Sequence, residues 1–188
     1  MRGKKDELPI KEPREIIIGN PKAPVTLVEF GDYESEACAR AHSIVKQVLE
    51  FYKDKVNFNF RHFPLVKVHQ KAHKAAEAAI AASQEGKFWE MHEMILANRK
   101  NLGTISLKSY AKEIGTTNKD FLNNLLNGKF GWNVQDDLTE GIQRGVKEVP
   151  TFFVNGKEVK GAVSLKVLKE AIDAALNAKK SRRKTVAV

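Results

Sequence analysis

Cys38 is the only cysteine among 188 residues. It ends the stretch Glu29-Phe30-Gly31-Asp32-Tyr33-Glu34-Ser35-Glu36-Ala37-Cys38. An apolar run closes at Phe30 and a helical pattern opens at residue 36, so Cys38 falls in the first turn of a helix. A helix start carries roughly half a positive charge and unpaired N–H groups, which favour an anion and ease ionisation of a thiol there. The second stretch with chemical content is Gly145-Val146-Lys147-Glu148-Val149-Pro150-Thr151. A proline that follows a tight link and directly precedes a strand is a candidate cis peptide. Five histidines raise the question of a metal. His69 and His73 are four apart on one face of a predicted helix, but a zinc site needs a third ligand and a supporting shell. No HExxH pattern is present, so the pair is read as helix-start packing and no metal is expected. His42, one turn beyond Cys38, is expected either at the site or in solvent. Asp32 and Glu34 read as surface charge, and Trp89 and Trp132 as packing residues.

The elements that must position these residues follow from periodicity. Pro9, Pro13, Pro21 and Pro24 keep residues 1–24 extended, with a short strand at Glu15–Ile18. Val25–Phe30 is nearly continuous in apolar residues, as in a strand covered on both faces. Residues 36–53 place Ala37, Ala41, Ile44, Val45, Val48 and Tyr52 on one helical face. Val56–His62 alternates, with Val56, Phe58 and Phe60 inward and Asn57, Asn59 and Arg61 outward, which predicts a half-buried strand. Together these make a parallel βαβ unit. Helices are predicted over His69–Gln84, Lys87–Ala97, Ser106–Ile114, Lys119–Asn127 and Trp132–Arg144, and most of these patterns are followed by glycine, the usual stop signal. Thr151–Val154, Asn155-Gly156 and Lys157–Lys160 read as a hairpin with a type I′ turn. Ser164 caps a last helix bearing Leu165, Leu168, Ile172 and Leu176. The fold class is α/β: β-α-β, a helical insert at about 66–145, then β-β-α.

Composition bounds the function classes. Apolar residues make up 42% and charged residues 29%, ordinary for a folded domain. One cysteine excludes an internal disulfide scaffold and a cysteine-rich zinc site, and no apolar run reaches the roughly 20 residues of a membrane span. The net charge of +9 is concentrated at the ends. Residues 1–14 carry +2 and are read as a flexible basic lead-in; residues 179–188 carry +5 and are read as a disordered tail. Residues 15–178 carry only +2, so nucleic acid is not the expected partner. Binding through residues 179–184 would fall steeply with salt.

The order of GNPKAPVTLVEFGDYE (19–34), SEAC (35–38), RHFPL (61–65), AHKAAEAA (72–79), GKFWEMHE (86–93) and GVKEVPTFFVNGKEVKGA (145–162) resembles the DsbA-like family of thiol–disulfide oxidoreductases, a thioredoxin fold with a helical insert. The resemblance spans about residues 15–178. It implies a Cys-x-x-Cys motif in which Ser35 holds the place of the attacking cysteine, Cys38 is the resolving cysteine, and Glu36 and Ala37 are the variable pair. It further implies that Glu29 is a buried acid assisting proton movement, and that Val149 and a cis Pro150 help hold an extended substrate. Protein or peptide thiols and disulfides are the implied substrates, and no cofactor is implied. Glu36 is expected to oppose a thiolate at position 35 and make the couple less oxidising.

The departure from the family is Ser35. Disulfide exchange needs an attacking thiolate and a second thiol to resolve the mixed disulfide, and a serine hydroxyl supplies neither. Ser35 is either a replacement in a parent with Cys-Glu-Ala-Cys over 35–38, which the retention of Glu29, Cys38 and Val149-Pro150 favours, or a natural loss of the nucleophile. Two other functions fit the sequence. One is a redox-silent module that binds extended peptides beside Val149-Pro150. The other is a glutathione-dependent enzyme of the kappa transferase type, in which a serine stabilises the glutathione thiolate. The start of the chain shows no export signal, which leads to the expectation of a cytoplasmic protein as written and an extracytoplasmic one if a leader was removed.

Overall fold

The computed structural model describes residues 11–186. A 3-10 turn at Pro13–Glu15 leads into β1 (Ile17–Ile18), β2 (Val25–Gly31), α1 (Glu36–Tyr52) and β3 (Val56–His62). Five helices follow: α2 (Ala72–Ser83), α3 (Phe88–Ala97), α4 (Thr104–Glu113), α5 (Phe121–Leu126) and α6 (Gly131–Gln143). The chain then closes with β4 (Thr151–Val154), β5 (Lys157–Glu158) and α7 (Leu165–Val186). The strands form one sheet in the order β1-β3-β2-β4-β5, with β2 and β3 parallel and the other pairs antiparallel. The mixed α/β fold expected from periodicity is therefore present.

Local signals act where the sequence places them. Gly86, Gly115, Gly128 and Gly145 all have positive φ and follow α2, α4, α5 and α6, the left-handed conformation that ends a helix without a Cβ penalty. Asn155 and Gly156 have φ of 47° and 82°, as a type I′ hairpin requires. Ser164 Oγ accepts a hydrogen bond from Val167 N at 3.3 Å, capping α7.

The main core joins Val25 and Leu27 of β2, Phe58 and Phe60 of β3, Val45 and Val48 of α1, and Leu168 and Ile172 of α7 to the inserted helices. A smaller cluster forms around Phe30, Phe63, Val146 and Phe153, with Leu65, Leu138 and Val149 packed against it. Here α6 comes so close that a Cβ on Gly141 would lie 2.5 Å from Phe63 Cδ2 and 3.0 Å from Phe30 Cδ1. Gly141→Ala is expected to destabilise the chain by about 1–3 kcal/mol, the usual cost of overpacking. Urea unfolding checks this; an unchanged midpoint would contradict the tight α6 contact.

Four expectations are corrected. β3 is buried at all seven positions. Its polar residues are covered by segments distant in sequence: Asn59 Nδ2 donates to Pro13 O and Ile16 O, Asn57 Nδ2 to Asn20 O, and Arg61 to Asp137 and Glu140 of α6. The lead-in is docked from residue 11 on, where Lys11 N donates to Gln84, Asn133 donates to Glu12 and Pro13 is buried; residues 1–10 lie outside the described residues. The segment expected as a disordered tail continues α7 to Val186, since residues 165–186 contain no glycine or proline and are rich in good helix formers. Residues 187 and 188 lie outside the described residues. Trp132, expected to pack, is 79% exposed, whereas Trp89 packs against the main core.

Candidate functional site

The site forms where β2 ends and α1 begins. Ser35 is the N-cap of α1: its backbone is extended and its Oγ accepts a hydrogen bond from Cys38 N at 3.3 Å. This satisfies one of the unpaired N–H groups of the helix start. Glu36 and Ala37 follow as the first two helical residues, and Cys38 is buried beneath them at 1% exposure.

The environment of Cys38 reverses the expectation of an easily ionised thiol. Burial pushes the thiol up to about 12, and repulsion from Glu29 adds to the rise. The Asp32 N–H, which donates to Sγ at 3.4 Å, and Ser35 pull the other way without overcoming it. The field of a helix start rewards an anion at the open N–H groups, where Ser35 sits; Cys38 lies inside, where desolvation dominates.

Glu29 is 2% exposed, and burial pushes its carboxyl up to about 8. Its Oε1 has no hydrogen-bond partner among the described residues and lies 3.0 Å from where a Cβ on Gly31 would sit. A carboxyl held neutral by burial and felt electrostatically by Cys38 can give up one proton near neutral pH and take it back. Glu36 behaves differently from the sequence expectation. It is exposed and pairs with Arg40 at 2.6 Å and Arg99 at 3.3 Å, so its charge is compensated and its push against a thiolate at position 35 is weak.

The Val149-Pro150 bond is cis and both residues are partly buried. Phe30 pairs with Thr151 in the β2–β4 ladder, so the next step of that register brings Pro150 beside Gly31, at the end of β2 from which α1 is reached. Ser35, Cys38, Glu29, Val149 and Pro150 are thus gathered at one end of the central strands.

Asp32, expected from the sequence as surface charge, is 1% exposed. Its Oδ1 accepts from Glu34 N at 2.7 Å, and its Oδ2 accepts from Leu65 N at 2.7 Å and pairs with His69 Nδ1 at 2.9 Å. The legible signal was the Asx turn that an aspartate between glycine and a helix start can form. His69 precedes α2 rather than belonging to it, so it turns to Asp32 while His73 pairs with Glu77. His42 is mostly buried, its ring 5.1 Å from that of His92. Among the described residues no group of three His, Cys, Asp or Glu side chains is placed to hold a metal ion.

The family model described as thioredoxin matches residues 11–174. Among curated proteins the chain is 34% identical over 168 residues to the Na(+)/H(+) antiporter NhaA 1 of Salinispora arenicola, and 34% over 165 residues to NhaA 3 of Salinispora tropica. These matches cover 89% and 88% of this chain but 26% and 25% of those proteins, so the chain spans about a quarter of their length. Among the described residues no helix is long and apolar enough to cross a membrane. Among solved structures, oxidised BdbD from Bacillus subtilis superposes with a TM-score of 0.79 at 26% identity, covering 88% of this chain and 93% of that one. A thioredoxin-like oxidoreductase from Silicibacter pomeroyi gives 0.76 at 25% identity, covering 86% and 92%. The thiol-disulfide exchange protein alpha-DsbA2 from Wolbachia pipientis, at 0.72 and 23% identity over 84% and 85%, shares the fold. The chain belongs to the thioredoxin family, in the DsbA-like form that inserts a block of helices between the third and fourth strands of the sheet.

Proposed function

We propose that this chain is built on a DsbA-like site for thiol–disulfide exchange with protein or peptide substrates, in which Ser35 occupies the attacking position and Cys38 the resolving one. The observation that carries the reading is the placement of residue 35 at the N-cap of α1, its Oγ accepting from the N–H of a buried Cys38 whose thiol feels the charge of the buried acid Glu29. With a thiol at position 35, an oxidised 35–38 pair accepts attack by a substrate thiolate on the sulfur at 35. The internal S–S bond breaks, Cys38 leaves as a thiolate, and the Glu29 carboxyl supplies its proton. A second substrate thiolate then attacks the mixed disulfide, releasing the oxidised substrate and the reduced pair. Two electrons pass from substrate to protein, and the substrate's two protons are left on the pair and on Glu29 or solvent.

As the sequence stands, that cycle stops for want of the first sulfur. The buried, high-pKa state of Cys38 favours a second reading for the Ser35 form, a module that holds extended peptides at Val149-Pro150 without exchanging disulfides.

Insulin reduction and oxidation of a dithiol peptide, run on the given chain and on Ser35→Cys, test the proposal. Turnover in Ser35→Cys alone is the expected result. Glutathione conjugation by the serine form would replace it with the transferase reading, and peptide binding without turnover in either form would replace it with the binding module. Loss of the Ser35 cap is expected to lower the stability of Ser35→Cys by about 0.5–2 kcal/mol.

A further inference from the structure

Disulfide exchange at this site moves two kinds of proton, and the buried acid can serve only one of them. Glu29 is 2% exposed and lies inside with Cys38, where it meets the leaving thiolate. An attacking substrate thiol arrives from solvent at position 35, and its proton needs a station at the rim. The polar groups at that rim centre on Asp32. Its carbonyl accepts from Ser35 N at 3.1 Å, so Asp32 and the helix cap are the two ends of one turn. Its carboxylate is fully buried and accepts from Glu34 N and Leu65 N, each at 2.7 Å. It also holds His69 Nδ1 at 2.9 Å, and the imidazole side chain is 28% exposed. A carboxylate only accepts, so Nδ1 carries the ring proton and Nε2 keeps its lone pair. Nε2 has no hydrogen-bond partner among the described residues. Neighbouring charges are engaged elsewhere: Glu34 Oε2 takes Lys71 N at 2.6 Å, and His73 pairs with Glu77.

We propose that His69 is a catalytic base in the exchange reaction, taking the proton from the incoming substrate thiol while Asp32 fixes the ring. The proposal rests on the thiol–disulfide reading above and adds how the attacking thiolate is made. The substrate S–H bond breaks as its proton moves to Nε2. The thiolate attacks the sulfur at position 35, the 35–38 bond breaks, and Cys38 leaves with the Glu29 proton. His69 then sheds its proton to solvent from its exposed edge, ready for the second substrate thiol. Two substrate thiols become one disulfide, and their two protons end on the reduced pair by way of solvent and Glu29. The positive ring formed in between meets a carboxylate already in place, so nothing has to reorganise when the charge develops. A base oriented by a third group is the general arrangement for activating a weak nucleophile; here the nucleophile comes with the substrate.

The test uses oxidised Ser35→Cys and a matched pair of small nucleophiles. Cysteamine is mostly a neutral thiol at pH 7, roughly 3% ionised for an ordinary thiol near 8.5, whereas selenocysteamine is already an anion there. Single-turnover reduction of the 35–38 disulfide is stopped with excess alkylating agent in denaturant, and modified cysteines are counted by mass spectrometry. His69→Ala is expected to slow cysteamine about tenfold and selenocysteamine less than about twofold, because only the thiol has a proton to lose. His69→Asn should lose the same factor with cysteamine, although its amide can still donate to Asp32. Equal losses with both nucleophiles, no loss with either, or a full cysteamine rate in His69→Asn would overturn the base while leaving exchange intact. Failure of Ser35→Cys to form a 35–38 disulfide, or of selenocysteamine to open it, would overturn the exchange reading and the inference with it.

Discussion

Alkylation of Cys38 by iodoacetamide at pH 7.5 is expected to run at least about a thousandfold slower in the folded chain than in denaturant. The thiolate is the reacting species, so the rate follows its population. Burial and the nearby Glu29 push the thiol from an ordinary value of 9.0 up to about 12, and each unit removes about a factor of ten in thiolate. Steric exclusion at 1% exposure lowers the rate further. Quenched samples read by mass spectrometry give both rates directly. Comparable rates in native and denatured chain would show that Cys38 is open and ionised, and would move the nucleophile from position 35 to position 38. A slow native rate is what a resolving cysteine requires, since it must stay silent until a disulfide at position 35 is presented to it.

Glu29→Gln is expected to stabilise the chain at pH 8.5 by a few kcal/mol relative to the parent, with much less effect at pH 5. The folded-state carboxyl titrates at about 8 against 4.5 for the model value. Between those values the folded chain holds a proton that the unfolded chain has lost, so stability falls as pH rises and reaches its floor above about pH 8. At 1.36 kcal/mol per unit the ceiling is about 5 kcal/mol. Other groups near Glu29 bound the usable window. Tyr33 and Cys38, both shifted upward, stay protonated in the folded state. His62 and His92, held neutral by burial, act in the opposite sense, with stability lost as pH falls below 6.5. Asp137, raised to about 6, titrates below the window. From pH 6.5 to 8.5 the parent should therefore lose roughly 2 kcal/mol that Glu29→Gln keeps, read as urea midpoints at each pH. Parallel pH profiles would mean that Glu29 is ionised in the fold and cannot serve as the proton store for Cys38.

The parts of this protein legible in sequence are those fixed by neighbours in sequence. Helix stops at Gly86 and Gly145, the Asn155-Gly156 hairpin and the Ser164 cap depend on a few adjacent residues, and each appears where its residue type requires it. The end of β2 and the start of α1 were legible for the same reason, which placed Ser35 and Cys38 at a helix start from pattern alone. What escaped the sequence depends on partners far along the chain. The alternation of β3 indicated an exposed polar face, because nothing local announces that Pro13, Ile16, Asn20, Asp137 and Glu140 will satisfy Asn57, Asn59 and Arg61. Asp32 looks like surface charge in the sequence because its partners Leu65 and His69 arrive from beyond the far end of β3. The helix dipole at Cys38 is a local effect and legible, whereas the state of its thiol is set by burial under the whole fold. Glu36 likewise lost its expected leverage to Arg99, which comes from the segment after α3.

The most direct measurement is the thiol count of Ser35→Cys after treatment with oxidised glutathione. The account predicts a protein with no free thiol and no bound glutathione, because the sulfur introduced at the cap of α1 forms a mixed disulfide that Cys38, one helical turn away, displaces at once. A stable glutathione adduct at position 35 with Cys38 still reduced would contradict it.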